Sequence, residues 1–155
     1  MVDSENKTAR LTIRYAVTSD MTTVSNFWCD LMKELNFSVN PKKVQKRLDT
    51  LPADKFAHVK LCESDGIPIG TATLYISDRL PERCAWLRRL MTNPNYRRRG
   101  VASKLVIDLV QTAINEGCNK IYLECKPELI PFYNKFSFKI DHKTADGYVL
   151  CLTFK

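Results

Sequence analysis

The feature that most constrains this chain is the run AWLRRLMTNPNYRRRGVASKLVIDLVQTAINEG, residues 85–117, in which a strand-like segment passes through a tight turn straight into an amphipathic helix. Leu105, Leu109 and Ala113, beside Val106, Val110 and Ile114, recur at helical spacing and form a wide apolar face, with Gly117 placed as a C-cap. A helix with such a face must bury it on a neighbouring layer, and the strand leading into it supplies one. The chain is therefore expected to be an α/β protein with helices packed on a sheet.

The remaining segments fit that frame. LTIRYA alternates Leu11, Ile13 and Tyr15 on one face, as a half-buried strand does. Asp20 then reads as the cap of a helix whose stripe is Val24, Phe27, Trp28, Leu31, Met32 and Leu35. Asn40-Pro41 starts a short lysine-rich helix that turns only Val44 and Leu48 inward. FAHVKLCE and IPIGTATLYIS are strands joined by Ser64-Asp65-Gly66, and KIYLEC is another. Pro127 opens a short helix interrupted by Pro131, and FKIDHK with YVLCLTF makes a closing hairpin over Ala145-Asp146-Gly147. The expected order is β-α-α-β-β-β-α-β-α-β-β, with residues 1–9 as a flexible tail and 10–155 as one domain.

At 155 residues the chain is long enough to bury a core without disulfides or metals. Its six cysteines, Cys29, Cys62, Cys84, Cys118, Cys125 and Cys151, are scattered singly, and His58 and His142 fit no ligand spacing, so no metal site is expected. Reduced thiols within apolar runs, a polar start without a signal-peptide core, and no run long enough to span a bilayer make a cytoplasmic location the expectation. The net charge of +7 points to an anionic partner without naming it.

Location narrows the choice. The first amides of a helix lack internal acceptors and sit at the positive end of its dipole, so a strand-turn-helix junction is a ready anion site. Gly100 permits a close approach there, Ala102 keeps the helix start open, and Arg97, Arg98 and Arg99 add charge. The glycine patterns of dinucleotide folds and of nucleoside triphosphatases are both absent, so the anion belongs to another class of ligand.

On these residues the chain resembles the GCN5-related N-acetyltransferases (GNAT). Their coenzyme A signature, Arg/Gln-x-x-Gly-x-Gly/Ala, is matched by Arg97, Gly100 and Ala102, and PFYNKFSF is similar to their Phe-Tyr-x-Lys-x-Gly-Phe. The resemblance implies a mixed sheet of about six to seven strands flanked by about four helices, with two strands splayed apart to hold acetyl-CoA as cosubstrate. It implies that the amides from Arg98 through Gly100, Val101 and Ala102 to Ser103 take the pyrophosphate, and that Leu90, Met91 and Thr92 line the pantetheine arm. Asn93 and Pro94, which break a ladder, suit the exit of that strand.

Acetyl transfer to an amine needs a donor for the developing oxyanion and a proton for the departing thiolate. Tyr133 occupies the family position for the proton, Met91 or its neighbour offers a backbone N–H, and Glu124, ending a strand where the cleft opens, is the candidate base. Cys125 is expected to be a buried thiol, since direct transfer needs no covalent step.

The segment GCNKIYLECKPELIPFYNKFSF is further similar to that of eukaryotic glucosamine 6-phosphate N-acetyltransferases, which implies an amino-sugar phosphate as acceptor and a homodimer. Lys126, Lys135, Arg88 and Arg89 would give a phosphate a basic setting. Two departures stand out: Arg88-Arg89 replaces an acidic pair usual in those enzymes, and Ser137 replaces a glycine. Other amines therefore stay open as acceptors, among them a polyamine, an aminoglycoside, a protein lysine or an N-terminus, as does a silent acyl-CoA-binding module. Nucleic acid is disfavoured, because Phe27, Trp28, Phe132 and Phe138 sit at core-like spacing rather than interleaved with charge.

Overall fold

A computed structural model describes residues 10–78 and 81–154; the expected tail, residues 1–9, lies outside them. The described residues form β1 (Leu11–Tyr15), α1 (Met21–Glu34), α2 (Pro41–Leu48), β2 (Ala57–Ser64), β3 (Ile67–Asp78), β4 (Arg83–Thr92), α3 (Val101–Asn115), β5 (Lys120–Cys125), α4 (Ile130–Asn134), β6 (Lys139–Lys143) and β7 (Tyr148–Thr153). This is the element order expected from the sequence.

The strands make one mixed sheet in the order β1-β2-β3-β4-β5-β7-β6. All neighbours are antiparallel except β4 and β5, and α3 is the crossover that a parallel pair requires. At the β2–β3 hairpin both Asp65 (φ 49°) and Gly66 (φ 83°) are left-handed, the turn whose twist matches that of paired strands.

Helices cover both faces. Leu105, Val106, Leu109 and Ala113 of α3 are fully buried against Ala72, Leu74, Ala85, Ile121 and Leu123. On the opposite face Met21 and Val24 of α1 and Leu48 of α2 pack over Val59 and Leu61. Asn40 caps α2 as expected, its Oδ1 accepting from the amides of Lys42 (3.0 Å) and Lys43 (3.4 Å).

Four local expectations are corrected. Asp20 does not cap α1 with its side chain; its carboxylate takes two hydrogen bonds from Arg14 and one from the Val17 amide, and Arg14 holds it below the usual carboxylate range. Ile114 lies at the rim of the α3 stripe and is 46% exposed. Tyr15 is half exposed on the edge strand, its ring lying 3.9 Å beneath the Lys60 ammonium. The short helix expected from Pro127 is divided into a 3-10 turn, Pro127–Leu129, and α4, so Pro131 stands in the first turn of α4, where its missing N–H costs nothing, rather than inside a helix.

Gly70 of β3 fixes how closely α3 approaches the sheet. A Cβ there would sit 2.7 Å from Val101 Cγ1 and 3.1 Å from the Met91 carbonyl oxygen. Val101 has little rotamer freedom inside a helix, so it cannot swing away. Gly70→Ala is expected to destabilise the fold by about 1–3 kcal/mol despite removing a flexible residue from a strand, and Val101→Ala in the same chain to recover part of the loss, both read by urea denaturation.

Candidate functional site

The site begins at an irregularity in β4. Thr71 pairs with Met91 but Thr73 pairs with Arg88, so β4 carries one residue more than β3 across this step. The surplus is taken up at Arg89, which is left-handed (φ 55°). Such a bulge bends its strand and sharpens the local twist. β4 and β5 pair only at Cys84↔Lys120, Ala85↔Ile121 and Trp86↔Tyr122, and beyond Trp86 the two strands part. From Leu87 to Thr92 the side of β4 that would face β5 is left without a ladder partner.

The chain leaves β4 through Asn93, whose side chain accepts a hydrogen bond from the Asn95 amide (3.0 Å) and closes a short turn over Pro94–Tyr96. Two left-handed residues, Arg98 (φ 64°) and Gly100 (φ 80°), then swing it into α3. Gly100 is the N-cap and has no side chain to cap with, so the amides of Val101, Ala102 and Ser103 stand without an intrahelical acceptor. A Cβ on Gly100 would meet nothing within 4 Å, so its requirement is conformational. Arg97 forms an ion pair with Glu34 of α1 (3.0 Å), and Arg99 lies over the Tyr96 ring (5.2 Å).

Between the end of β4, α1 and α4 lies a cleft of about 420 Å3, lined by Phe27 and Leu31 from α1, by Leu90, Met91 and Thr92, by Arg97 and Ala102 at the turn, and by Phe132 and Tyr133 from α4. Tyr133 is almost wholly buried, in edge contact with Phe132 and Phe138. Burial, reinforced by the nearby Cys125 thiol, pushes its phenol up to about 12, so it keeps its proton at neutral pH. The Cys125 thiol is likewise pushed up by burial.

The structure thus brings Leu90, Met91, Thr92, Arg97, Ala102 and Tyr133 into one cleft, and it separates the other candidates. Glu124 is exposed and lines neither this cleft nor the larger cavity described next. It follows Tyr122 by two residues, so both project from the same face of β5, where Tyr122 stacks on Trp86 (5.1 Å). Arg88 is exposed and lies over the Trp86 ring (4.8 Å), Lys135 lies over the Phe132 ring (5.3 Å), and Lys126 is exposed. Arg89 hydrogen-bonds the Tyr75 hydroxyl and lines a second cavity of about 740 Å3, bounded by Trp28 and by Lys43, Lys46, Arg47 and Leu48 of α2.

Sequence reasoning missed that second cavity. Its only signal was the spacing of Lys43, Lys46 and Arg47, three and four residues apart on one side of α2. It also read Phe27, Trp28 and Phe132 as core residues, whereas all three are half-buried cavity walls and only Phe138 is in the core. Among the described residues no cluster of three metal-ligating side chains occurs, and no helix is long and apolar enough to cross a membrane.

Comparison with known proteins agrees with this architecture. A glucosamine 6-phosphate N-acetyltransferase of Trypanosoma brucei brucei is 27% identical over 74 residues, covering 46% of this chain and 50% of that protein. A probable glucosamine 6-phosphate N-acetyltransferase of Drosophila melanogaster is 33% identical over 73 residues, 45% of this chain and 33% of that one. The chain thus spans about half and a third of these two relatives. Among solved structures, a transcriptional regulator from Bacillus halodurans C-125 superposes with a TM-score of 0.79 at 20% identity, over 88% of this chain and 98% of that one. A predicted acetyltransferase with acetyl-CoA from Clostridium acetobutylicum gives 0.75 at 19%, over 88% and 95%. The sequence pattern of the Acetyltransferase (GNAT) family matches residues 25–138, most of the chain, and this protein belongs to that family.

Proposed function

We propose that this protein is an acetyl-CoA-dependent N-acetyltransferase that passes the acetyl group directly to a primary amine, with glucosamine 6-phosphate as the acceptor. The observation that carries the reading is the cleft opened where β4 leaves β5, with a buried, protonated tyrosine on its wall and free helix amides at its mouth. Partial likeness to two glucosamine 6-phosphate N-acetyltransferases supports the choice of acceptor. A cytoplasmic homodimer that uses no metal is part of the same reading.

The residues present fit acetyl-CoA. The amides of Arg98 to Ser103, with the guanidinium groups of Arg97, Arg98 and Arg99, would hold the pyrophosphate. Leu90, Met91, Thr92 and Phe132 would flank the pantetheine arm, whose amides would find the unpaired side of β4. Acetyl-CoA supplies the acetyl thioester. This chain then supplies two things: a backbone N–H near Met91 for the carbonyl oxygen and the Tyr133 hydroxyl proton for the leaving thiolate; Glu124, which lines neither cavity, carries no step.

Tyr133→Phe is expected to lower kcat by about 10²-fold while leaving acetyl-CoA affinity within about twofold, measured by steady-state kinetics and calorimetry. Equal turnover would remove the proton-donor role. Glu34→Gln frees Arg97 from its carboxylate, and because an exposed pair is worth only ~1 kcal/mol, CoA affinity should rise by a few fold in titration calorimetry. The reaction itself is tested by free thiol release from acetyl-CoA with glucosamine 6-phosphate, glucosamine, spermidine and a lysine peptide. Release with the phosphorylated sugar above all others is the expected result. Release with another amine alone would overturn the acceptor, and tight acetyl-CoA binding without release would mark a silent module.

A further inference from the structure

The larger cavity lies between α1, α2 and the β4 bulge, and its chemistry is one-sided. Its charged lining is Lys43, Lys46, Arg47 and Arg89, with no carboxylate among the lining residues. Among the described residues none of these four takes part in an ion pair. Like charges three and four residues apart on one helix repel, and here they also face an arginine that is partly buried and hydrogen-bonded only to the neutral Tyr75 hydroxyl. Such a concentration of cations around a concave site favours an anion strongly and raises its local concentration. The floor is apolar, formed by Val44, Leu48 and the half-buried Trp28 ring, which suits the C–H face of a sugar ring.

The two cavities are walled by consecutive residues of two elements. Arg89 borders this one and Leu90 the acyl cleft; Trp28 borders this one and Phe27 the cleft. A molecule seated in the basic cavity would run along these two elements to bring its amine to the β4–β5 gap. Resting on the acetyltransferase reading above, we infer that the cavity is the acceptor's anion pocket, in which Lys43, Lys46, Arg47 and Arg89 hold the phosphoryl group of an amino-sugar phosphate. The phosphate thus sits at α2, rather than at Arg88, Lys126 and Lys135, none of which lines either cavity.

Glucose 6-phosphate has the phosphoryl group and lacks the amine, so its binding reads the pocket apart from the chemistry. With CoA present, the full chain is expected to bind glucose 6-phosphate and to show no binding of glucose at the same concentration in titration calorimetry. Lys43→Glu with Arg47→Glu should weaken that binding at least about tenfold. Lys139→Glu with Lys143→Glu, the same charge change on exposed strand β6, should leave it within about twofold. Should the first pair unfold the short helix, Lys43→Ala with Arg47→Ala is the substitute, with a several-fold loss expected. No binding by the unaltered chain, undiminished binding by the α2 variants, or equal loss in both double variants would overturn the pocket. Unchanged KM for glucosamine 6-phosphate in the α2 variants overturns the pocket and leaves the reaction standing. Phosphate-dependent binding that the α2 variants lose, without acetylation of any amino sugar, overturns the acceptor reading and leaves the pocket standing.

Discussion

The separation of β4 from β5 is the constraint on which the rest depends. Two parallel strands gain by continuing their ladder, so a gap between them must be held open from outside. β4 is held by its long antiparallel ladder with β3 and bent at Arg89, and β5 is held by β7 along its whole length. Each strand therefore follows its antiparallel partner once the three parallel pairs end. At the far end Gly147 closes the β6–β7 hairpin on β5: a Cβ there would lie 2.3 Å from the Cys125 carbonyl oxygen. At the near end Gly70 lets Val101 seat α3 against β3 and beside Met91. The two glycines set the two sides of the same opening.

Charge is distributed to match. On the α3 side of the sheet two cations have carboxylate partners: Lys60 pairs with Asp108 (3.0 Å) and Arg83 with Glu116 (3.6 Å). His58, beside them, is held neutral chiefly by burial, which lowers its pKa. On the α1–α2 side the cations of α2 are without carboxylates among the described residues, and Glu34 alone reaches an arginine of the turn. Part of the excess of positive charge that the composition announces thus lines the basic cavity.

Much of this was legible in the sequence. Apolar periodicity located α1, α3 and the strands with a buried face, while Gly100, Gly66 and Asn40 carry turn or cap chemistry that few other residues supply. Three things were not legible. The bulge at Arg89 is a left-handed arginine, a conformation that no residue type at that position signals and that the register with β3 imposes. The basic cavity requires α2 to be brought against α1 and β4, and a lysine-rich helix reads in isolation as a solvated surface. Asp20 has the sequence of a cap, but Arg14 lies in the neighbouring strand and competes successfully for its carboxylate.

The same geometry argues against a covalent acyl-enzyme. Cys125 ends β5 beside Tyr133, the position a nucleophilic thiol would want, yet burial raises its pKa and the neighbouring Glu124 charge raises it further. A thiol in that setting stays protonated and packs as a small apolar side chain. The same burial acts on Tyr133, where it raises the cost of a phenolate and keeps the hydroxyl proton in place. The same desolvation that silences the thiol thus keeps the Tyr133 hydroxyl protonated, as the proposed acid role requires. Arg89 lines the basic cavity and Leu90, next to it on β4, lines the cleft, so on the proposed reading a thioester in one and an amine from the other would approach along β4. Direct transfer, as proposed, needs no such thiol, because it asks only that the two reactants be held close and in line.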